Sequence, residues 1–383
     1  MSNQPKRILV LSGGGGRGAF HAGVYQYLME ANKGGVDEAH AVPWKPDVVV
    51  GTSIGAVNGA AIAQGLSPDE LVEIWQKLEE DDIQGIPPNM RGLARLIVSK
   101  IFGQVMDARL PRVKEGSTSP VPEEFWPPLP LIPRWMAEPF IGRWINLLDT
   151  GPLKKTLYSK FRFNEQKLAA SETDLLISAT KVKTGERVLF SNRDVFDHKR
   201  NRPRTDVFKD ITVERILASC SIPLVYPWTE DKPTQSLYWD GALVANTPLG
   251  AALDLIGKDV DTPAEIVIVM MTPWWKTDEP APEGVRDQPR SFGEAVTWML
   301  DWMLLSSFRE NLKMIDTFNE LAKREREENE PPYRFRMVTP IIVAPKTFMG
   351  AERIIDYDGK ESSQYICDGY HAAKDRFEKL FKA

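Results

Sequence analysis

The sequence predicts an α/β protein in which a mostly parallel central sheet is flanked by helices on both faces. Apolar runs at 8–11 and 48–50 each lead through glycine into a helical pattern. Further strand-like runs lie between helical segments at 175–180, 187–190, 237–242 and 266–271. This alternation favours parallel strands joined by crossover helices, which cover both faces of a sheet.

The composition excludes several functional classes. Of the 383 residues, 42% are hydrophobic, which is ample for a large core, and the net charge of −5 offers nothing to attract nucleic acid. Two cysteines, Cys220 and Cys367, are too few and too isolated for a disulfide framework or a zinc site. The apolar run near the N-terminus is too short for an export signal. We therefore expect a cytoplasmic protein without a metal.

Two regions depart from the alternation of strands and helices. Residues 86–149 are predicted to be an insertion, because seven prolines between 120 and 139 exclude a long helix or a regular strand. This insertion also contains three tryptophans, Trp126, Trp135 and Trp144. Residues 276–383 are predicted to form a C-terminal helical extension, since a long helical pattern runs from 291 to 329.

A glycine loop, GGGGRG, follows the first predicted strand. Gly13, Gly15 and Gly18 have the spacing of a dinucleotide-binding turn, in which backbone approaches a pyrophosphate at a helix N-terminus. The same row of backbone N–H groups could hold the oxyanion of an acyl-transfer intermediate, or the loop could be a tight turn without a ligand. A dinucleotide site also needs an acidic residue at the end of the second strand. Asp37 and Glu38 have nearly that spacing, but their surroundings do not resemble a strand.

A serine lies between the second predicted strand and its helix, in the sequence VVVGTSIGA. Ser53 has Gly51 and Gly55 on either side, which is the Gly-x-Ser-x-Gly pattern of a nucleophile elbow. A Cβ atom at either glycine would collide with neighbouring backbone, and the following helix places its positive dipole end near the developing charge. Although the pattern can occur by chance in glycine-rich chains, this context predicts that Ser53 is a nucleophile.

A nucleophilic serine needs a base, and no histidine is well placed for this role. The chain has four, at His21, His40, His198 and His371. Only the last has the late position that an α/β-hydrolase requires, and its segment is typical of an exposed terminal helix. Asp240 is the stronger candidate, because it ends an apolar strand and precedes the small residues Gly241 and Ala242. Taken alone, it could equally be a turn aspartate.

Four motifs in a fixed order resemble the patatin-like phospholipases. They are GGGGRG at 13–18, GTSIG at 51–55, ASCSIPLVYPW at 218–228 and DGA at 240–242. The resemblance extends over residues 7–275, with 86–149 as a cap or a membrane-facing segment. It implies the three-layer α/β/α fold of that family. Ser12, and Cys220 with Ser221, depart from the residues usual there, which puts substrate preference in doubt rather than chemistry.

The resemblance also implies a catalytic mechanism. Ser53 would be the nucleophile and Asp240 its proton acceptor, in a dyad that needs no histidine and no cofactor. The oxyanion hole would be the turn of Gly14, Gly15, Gly16 and Arg17. The side chain of Arg17 could be a surface group, could brace the turn, or could meet an anionic head group. The implied reaction is hydrolysis of an acyl lipid through an acyl-enzyme.

The insertion suggests how such an enzyme would meet its substrate. Residues 91–114 contain six basic residues and one acidic residue, with apolar residues between them. This pattern is consistent with an amphipathic helix on an anionic membrane surface, or with a solvated cap over the active site. Two other functions stay open at this point: a dinucleotide-dependent enzyme that uses the glycine turn, and a lipid-binding protein with an inactive site.

Overall fold

The computed structural model describes most of the chain outside the predicted insertion. The described residues are 5–30, 43–85, 148–198, 200–256, 260–261, 263–275, 280, 288–290, 292–329, 331, 333–349, 354 and 356–382. The predictions for residues 91–114 and for the three insertion tryptophans lie outside these ranges. So do Asp37, Glu38 and His40.

A nine-stranded sheet forms the centre of the described structure. Its strands are β1 (Lys6–Leu11), β2 (Val48–Thr52), β3 (Asp174–Lys181), β4 (Arg187–Ser191), β7 (Val207–Lys209), β8 (Thr229–Asp231), β9 (Ser236–Asp240), β10 (Ala264–Val269) and β11 (Ile341–Val343). A separate pair consists of β5 (Phe196–Asp197) and β6 (Arg202–Pro203). The strand order is β11-β10-β1-β2-β3-β4-β7, and β9 pairs with both β3 and β8.

The central strands are parallel because both of their faces are buried. β11, β10, β1, β2 and β3 pair in parallel, whereas β4 and β9 run antiparallel to β3. Leu9 is paired with Val49, and Val10 with Val50, and all four side chains are buried. Such continuous apolar runs are typical of parallel strands covered on both sides. The mostly parallel sheet predicted from the sequence is confirmed.

Helices cover both faces, which gives the three layers. They are α1 (Ala19–Glu30), α2 (Ile54–Ala63), α3 (Pro68–Gln76), α4 (Glu80–Ile83), α5 (Gly151–Ser159), α6 (Glu165–Ala169), α7 (Val213–Ser219), α8 (Leu249–Leu255), α9 (Phe292–Glu328) and α10 (Gly359–Lys382). Helices α1, α2, α3, α7 and α10 enclose one core with the sheet, and α8 and α9 enclose a second core on the opposite face. Among the described helices, none has an apolar stretch long enough to cross a bilayer.

The C-terminal residues belong to the same body as the predicted 7–275 region. β11 extends the sheet beside β10, and α10 packs along α1 with backbone in close contact. A Cβ atom at Gly23 would lie 1.9 Å from the carbonyl oxygen of Ile366, and one at Gly369 would lie 2.2 Å from that of Phe20. Residues 276–383, predicted as an extension, therefore contribute a strand to the sheet, β11, and two helices, α9 and α10, that pack on its two faces.

The close approach of α1 and α10 generates a stability prediction. Gly23→Ala should destabilise the protein by about 1–3 kcal/mol, because the added methyl group must push the two backbones apart. Gly250→Ala is the matched control, since a Cβ atom on that helical glycine meets nothing within 4 Å. The control should be neutral or slightly stabilising. Urea denaturation would measure both variants, and equal stability of the two would contradict the described packing.

Candidate active site

Ser53 occupies a strained turn between β2 and α2. Its backbone has φ 56° and ψ −127°, a conformation that non-glycine residues rarely adopt. A Cβ atom at Gly51 would lie 2.3 Å from the carbonyl oxygen of Gly55, and one at Gly55 would lie 2.2 Å from that of Leu11. The turn can therefore be this tight only with glycine on both sides of the serine.

Two hydrogen bonds hold the strained turn against β3. The backbone N–H of Ser53 donates to Oγ of Ser219 at 2.9 Å, and that hydroxyl donates to the carbonyl oxygen of Ser178 at 2.7 Å. Ser219 is fully buried at the end of α7. It was not predicted as a site residue, although it lies within the ASCSIPLVYPW motif.

Asp240 is brought next to Ser53 by the antiparallel pairing of β9 with β3. Its Oδ1 accepts a hydrogen bond from the N–H of Ala242 at 2.8 Å. Its Oδ2 is buried and has no hydrogen-bond partner among the described residues. Burial raises the pKa of Asp240 from 3.8 to about 7, and interaction with the Ser53 hydroxyl and the Ala242 N–H offsets part of that rise. The two residues predicted as nucleophile and base thus lie together.

The surroundings of Asp240 are apolar or uncharged. Cys220, Tyr226 and Tyr357 are buried around it. Burial is the largest cause that raises the pKa of each, and the charge of Asp240 contributes to the rise in all three. These groups remain neutral at working pH. The hydroxyl of Tyr226 donates to Oε1 of Gln84 at 2.5 Å. No cation among these neighbours compensates the carboxylate.

The glycine turn faces the same point. A Cβ atom at Gly13 would lie 3.0 Å from Cβ of Ser53 and 3.4 Å from that of Ala242, and the N–H of Gly13 donates to Oδ1 of Asn246 at 2.6 Å. Gly15 has φ +60°, and a Cβ atom there would lie 1.8 Å from the carbonyl oxygen of Ile354. Nucleophile, glycine turn and the Asp-Gly-Ala loop therefore converge.

Three buried amides of this turn have no acceptor. Within the described residues, nothing accepts the N–H of Gly14, Gly15 or Gly16. The fourth predicted donor, the N–H of Arg17, already donates to the carbonyl oxygen of Gly14 at 3.3 Å. Since buried N–H groups are almost always paired, the three free amides suit an anion that binds beside Ser53.

Arg17 is not a surface residue, so that interpretation of its side chain is wrong. The guanidinium is fully buried and donates from Nη1 to Oδ1 of Asp301 at 2.7 Å and from Nη2 to the carbonyl oxygen of Met349 at 2.8 Å. Oδ1 of Asp301 also accepts the hydroxyl of Thr272 at 3.0 Å. The side chain therefore points into the C-terminal residues rather than toward a head group.

The described histidines take no part in the site. His371 is exposed on α10, as predicted. His21 is buried, its Nδ1 pairs with the side-chain amide of Asn58 at 3.1 Å, and burial lowers its pKa to about 3. Neither His21, His198 nor His371 hydrogen-bonds with Ser53 or Asp240. The described part of the chain also holds no cluster of side chains suited to a metal ion.

The sequence matches a known protein family. A family model described as "Patatin-like phospholipase" matches residues 9–253. No protein with a curated description matches the chain in sequence.

Several solved structures are similar to the chain. VipD from Legionella pneumophila matches 98% of this chain and 67% of its own, with 12% identity and a TM-score of 0.41. The type III effector protein ExoU matches 98% of this chain with 12% identity and a TM-score of 0.35, and the matched part is 53% of ExoU, about half. The ExoU–SpcU complex from Pseudomonas aeruginosa matches 58% of this chain and 37% of that chain, with 20% identity and a TM-score of 0.20.

The burial of Asp240 generates a stability prediction with a defined sign. Because folding raises this pKa, the contribution of Asp240 to stability is present below about pH 4 and is lost as the pH rises through about 7. Asp240→Asn should therefore stabilise the protein at pH 8, by up to about 4 kcal/mol. At pH 5 the gain should fall to less than half of that, about 1.7 kcal/mol, because the unfolded carboxyl group is still mostly ionised there. Urea denaturation at both pH values is the measurement, and a destabilised variant at pH 8 would contradict the uncompensated burial.

Proposed function

Because the chain belongs to the patatin-like phospholipase family, we propose that it is a serine hydrolase that cleaves carboxylic esters of phospholipids or related acyl lipids. The observation that carries the proposal is the buried carboxyl group of Asp240, with a pKa of about 7, beside a serine on a strained turn. The N–H groups of Gly14, Gly15 and Gly16 have no acceptor among the described residues, and the adjoining Gly13 lies against Ser53. An aspartate tuned to neutral pH can accept a proton where an ordinary aspartate is too weak a base.

The reaction proceeds in two halves. Asp240 accepts the hydroxyl proton of Ser53 while Oγ attacks the ester carbonyl carbon, and the alcohol then leaves with that proton. The acyl group remains as an ester of Ser53. Water attacks this ester while Asp240 accepts a proton from it, and Oγ of Ser53 leaves with the proton, which frees the fatty acid. No cofactor takes part in either half.

The free amides of the glycine turn stabilise the oxyanion in both halves. Gly14, Gly15 and Gly16 supply the donors, since the N–H of Gly13 is bound by Asn246 and that of Arg17 closes the turn. Removing one donor from such a hole lowers kcat by about 10²–10³-fold in other enzymes. The positive end of α2 lies behind Ser53 and favours the same charge.

The alternatives have less support. A dinucleotide site has the glycine spacing in its favour, but the family match is to phospholipases, and Asp37 and Glu38, the acidic residues it would use, lie outside the described residues. An inactive lipid-binding protein would not need an uncompensated carboxylate beside a strained serine. Peripheral contact with an anionic membrane stays a prediction that rests on residues 91–114.

The proposed dyad predicts which substitutions abolish activity. Ser53→Ala should remove turnover of p-nitrophenyl acyl esters and labelling by a fluorophosphonate probe, because both need the serine oxygen. Asp240→Asn should lower turnover to nearly the same level. His371→Ala is the control and should keep most of the activity. If the histidine variant were the inactive one, the enzyme would be a triad hydrolase and the role of Asp240 would be wrong.

The proposed base also predicts a pH profile. Only the deprotonated carboxylate of Asp240 can accept a proton, so kcat/KM should rise tenfold per pH unit below about pH 7 and then level off. A series of ester assays between pH 4.5 and 9 measures this limb. Full activity at pH 5 would contradict a base with the pKa of buried Asp240.

A further inference from the structure

We infer that Asp301 is a positioning residue for the oxyanion turn, which it holds in shape through the guanidinium of Arg17. Asp301 lies on α9, outside residues 9–253 that match the family. The inference rests on the proposed function, because it assigns a role in that same site. It means that the C-terminal residues of this chain complete the catalytic apparatus.

Arg17 and Asp301 hold each other in place, and the contacts of the guanidinium direct it away from the substrate. Arg17 and Asp301 are both fully buried, and 2.7 Å separates Nη1 from Oδ1. The carbonyl oxygen of Met349 takes a second N–H of the guanidinium, and the hydroxyl of Thr272 bonds to the same carboxylate oxygen as Arg17. Asp301 is thus held by the segment that follows β10, and Arg17 by the segment that follows β11.

Two further contacts of the turn also come from residues after 270. Gly15 lies against the carbonyl oxygen of Ile354, and a Cβ atom at Gly14 would lie 2.6 Å from Cγ of Met271. The N–H of Arg17 closes the turn onto Gly14. Gly13 therefore lies against Ser53, whereas Gly14, Gly15 and the side chain of Arg17 lie against residues after 270.

Loss of the Asp301 charge should act on the turn itself. A buried guanidinium without its carboxylate is strongly unfavourable, so Arg17 would move toward water. Since Arg17 belongs to the turn, this movement would displace the amides of Gly14, Gly15 and Gly16. Oxyanion donors must hold their position to within a fraction of an ångström, so the damage falls on the transition state more than on substrate binding.

Asp301→Asn tests the inference, and Asp231→Asn is its matched control. Asp231 forms another buried ion pair, with Arg215, whose Nε lies 3.0 Å from Oδ1, and neither partner contacts the glycine turn. Both variants should lose thermal stability. Only Asp301→Asn should lower kcat for a p-nitrophenyl ester, by about 10- to 100-fold with KM within about twofold, and weaken a trifluoromethyl ketone inhibitor in parallel. Amide hydrogen exchange at residues 13–18 should accelerate in that variant alone.

Each other outcome overturns the inference. An unchanged kcat, a loss confined to KM, or an equal loss in Asp231→Asn would reduce Asp301 to a structural residue. If Asp301→Asn does not fold, Thr272→Val removes one bond to the carboxylate and should show the same pattern more weakly. Ser53-dependent turnover of the parent is measured first. If that is missing, the proposed function fails, and hydrogen exchange at the turn alone decides the role of Asp301.

Discussion

Asp240 carries an ionisable carboxyl group that is almost fully buried, and no described cation is among the groups that shift its pKa, so the rest of the site has to accommodate an uncompensated charge. The carboxyl group accepts a hydrogen bond from the N–H of Ala242, and interaction with the Ser53 hydroxyl also lowers its pKa. Its neighbours Cys220 and Tyr226 contribute burial without charge. A cation in this environment would lower the pKa and remove the basicity. The burial of Asp240 therefore lowers stability at neutral pH, and it is the same burial that gives the proposed base its raised pKa.

The strain at Ser53 is the second unfavourable element, and ordinary packing offsets it. A serine in this backbone conformation costs on the order of 1–3 kcal/mol. β2 is buried along its whole length, and α2 is buried at every residue, so the turn between them has little room to relax. Ser219, at the end of α7 on the same face of the sheet as α2, then fixes the backbone of the serine. These rigid neighbours hold the proposed nucleophile in one orientation.

Most of the correct sequence-based predictions about the fold came from patterns of residues that are close together in the chain. The parallel sheet and the serine turn depend on residues close together in sequence, so apolar runs and the Gly-x-Ser-x-Gly spacing were sufficient signals. The pairing of Ser53 with Asp240 came from the order of motifs and the resemblance they carry. Asn246, Ser219 and Asp301 escaped prediction, because each acts on a partner far away in the chain and has no local pattern of its own. β11 escaped because its three residues are too few for a periodic signal.

The position of β10 has a consequence for how this protein can be divided. β10 and β2 both pair with β1, yet β10 begins at residue 264, beyond the match to the family at 253. A fragment ending there would leave β1 with a bare edge of unpaired backbone groups, and the face of α1 that α10 covers would be open to water. The segment that matches the family is therefore shorter than the segment that closes the sheet and covers α1. A stable fragment has to include β10 and α10, whatever part of the chain carries the family's sequence pattern.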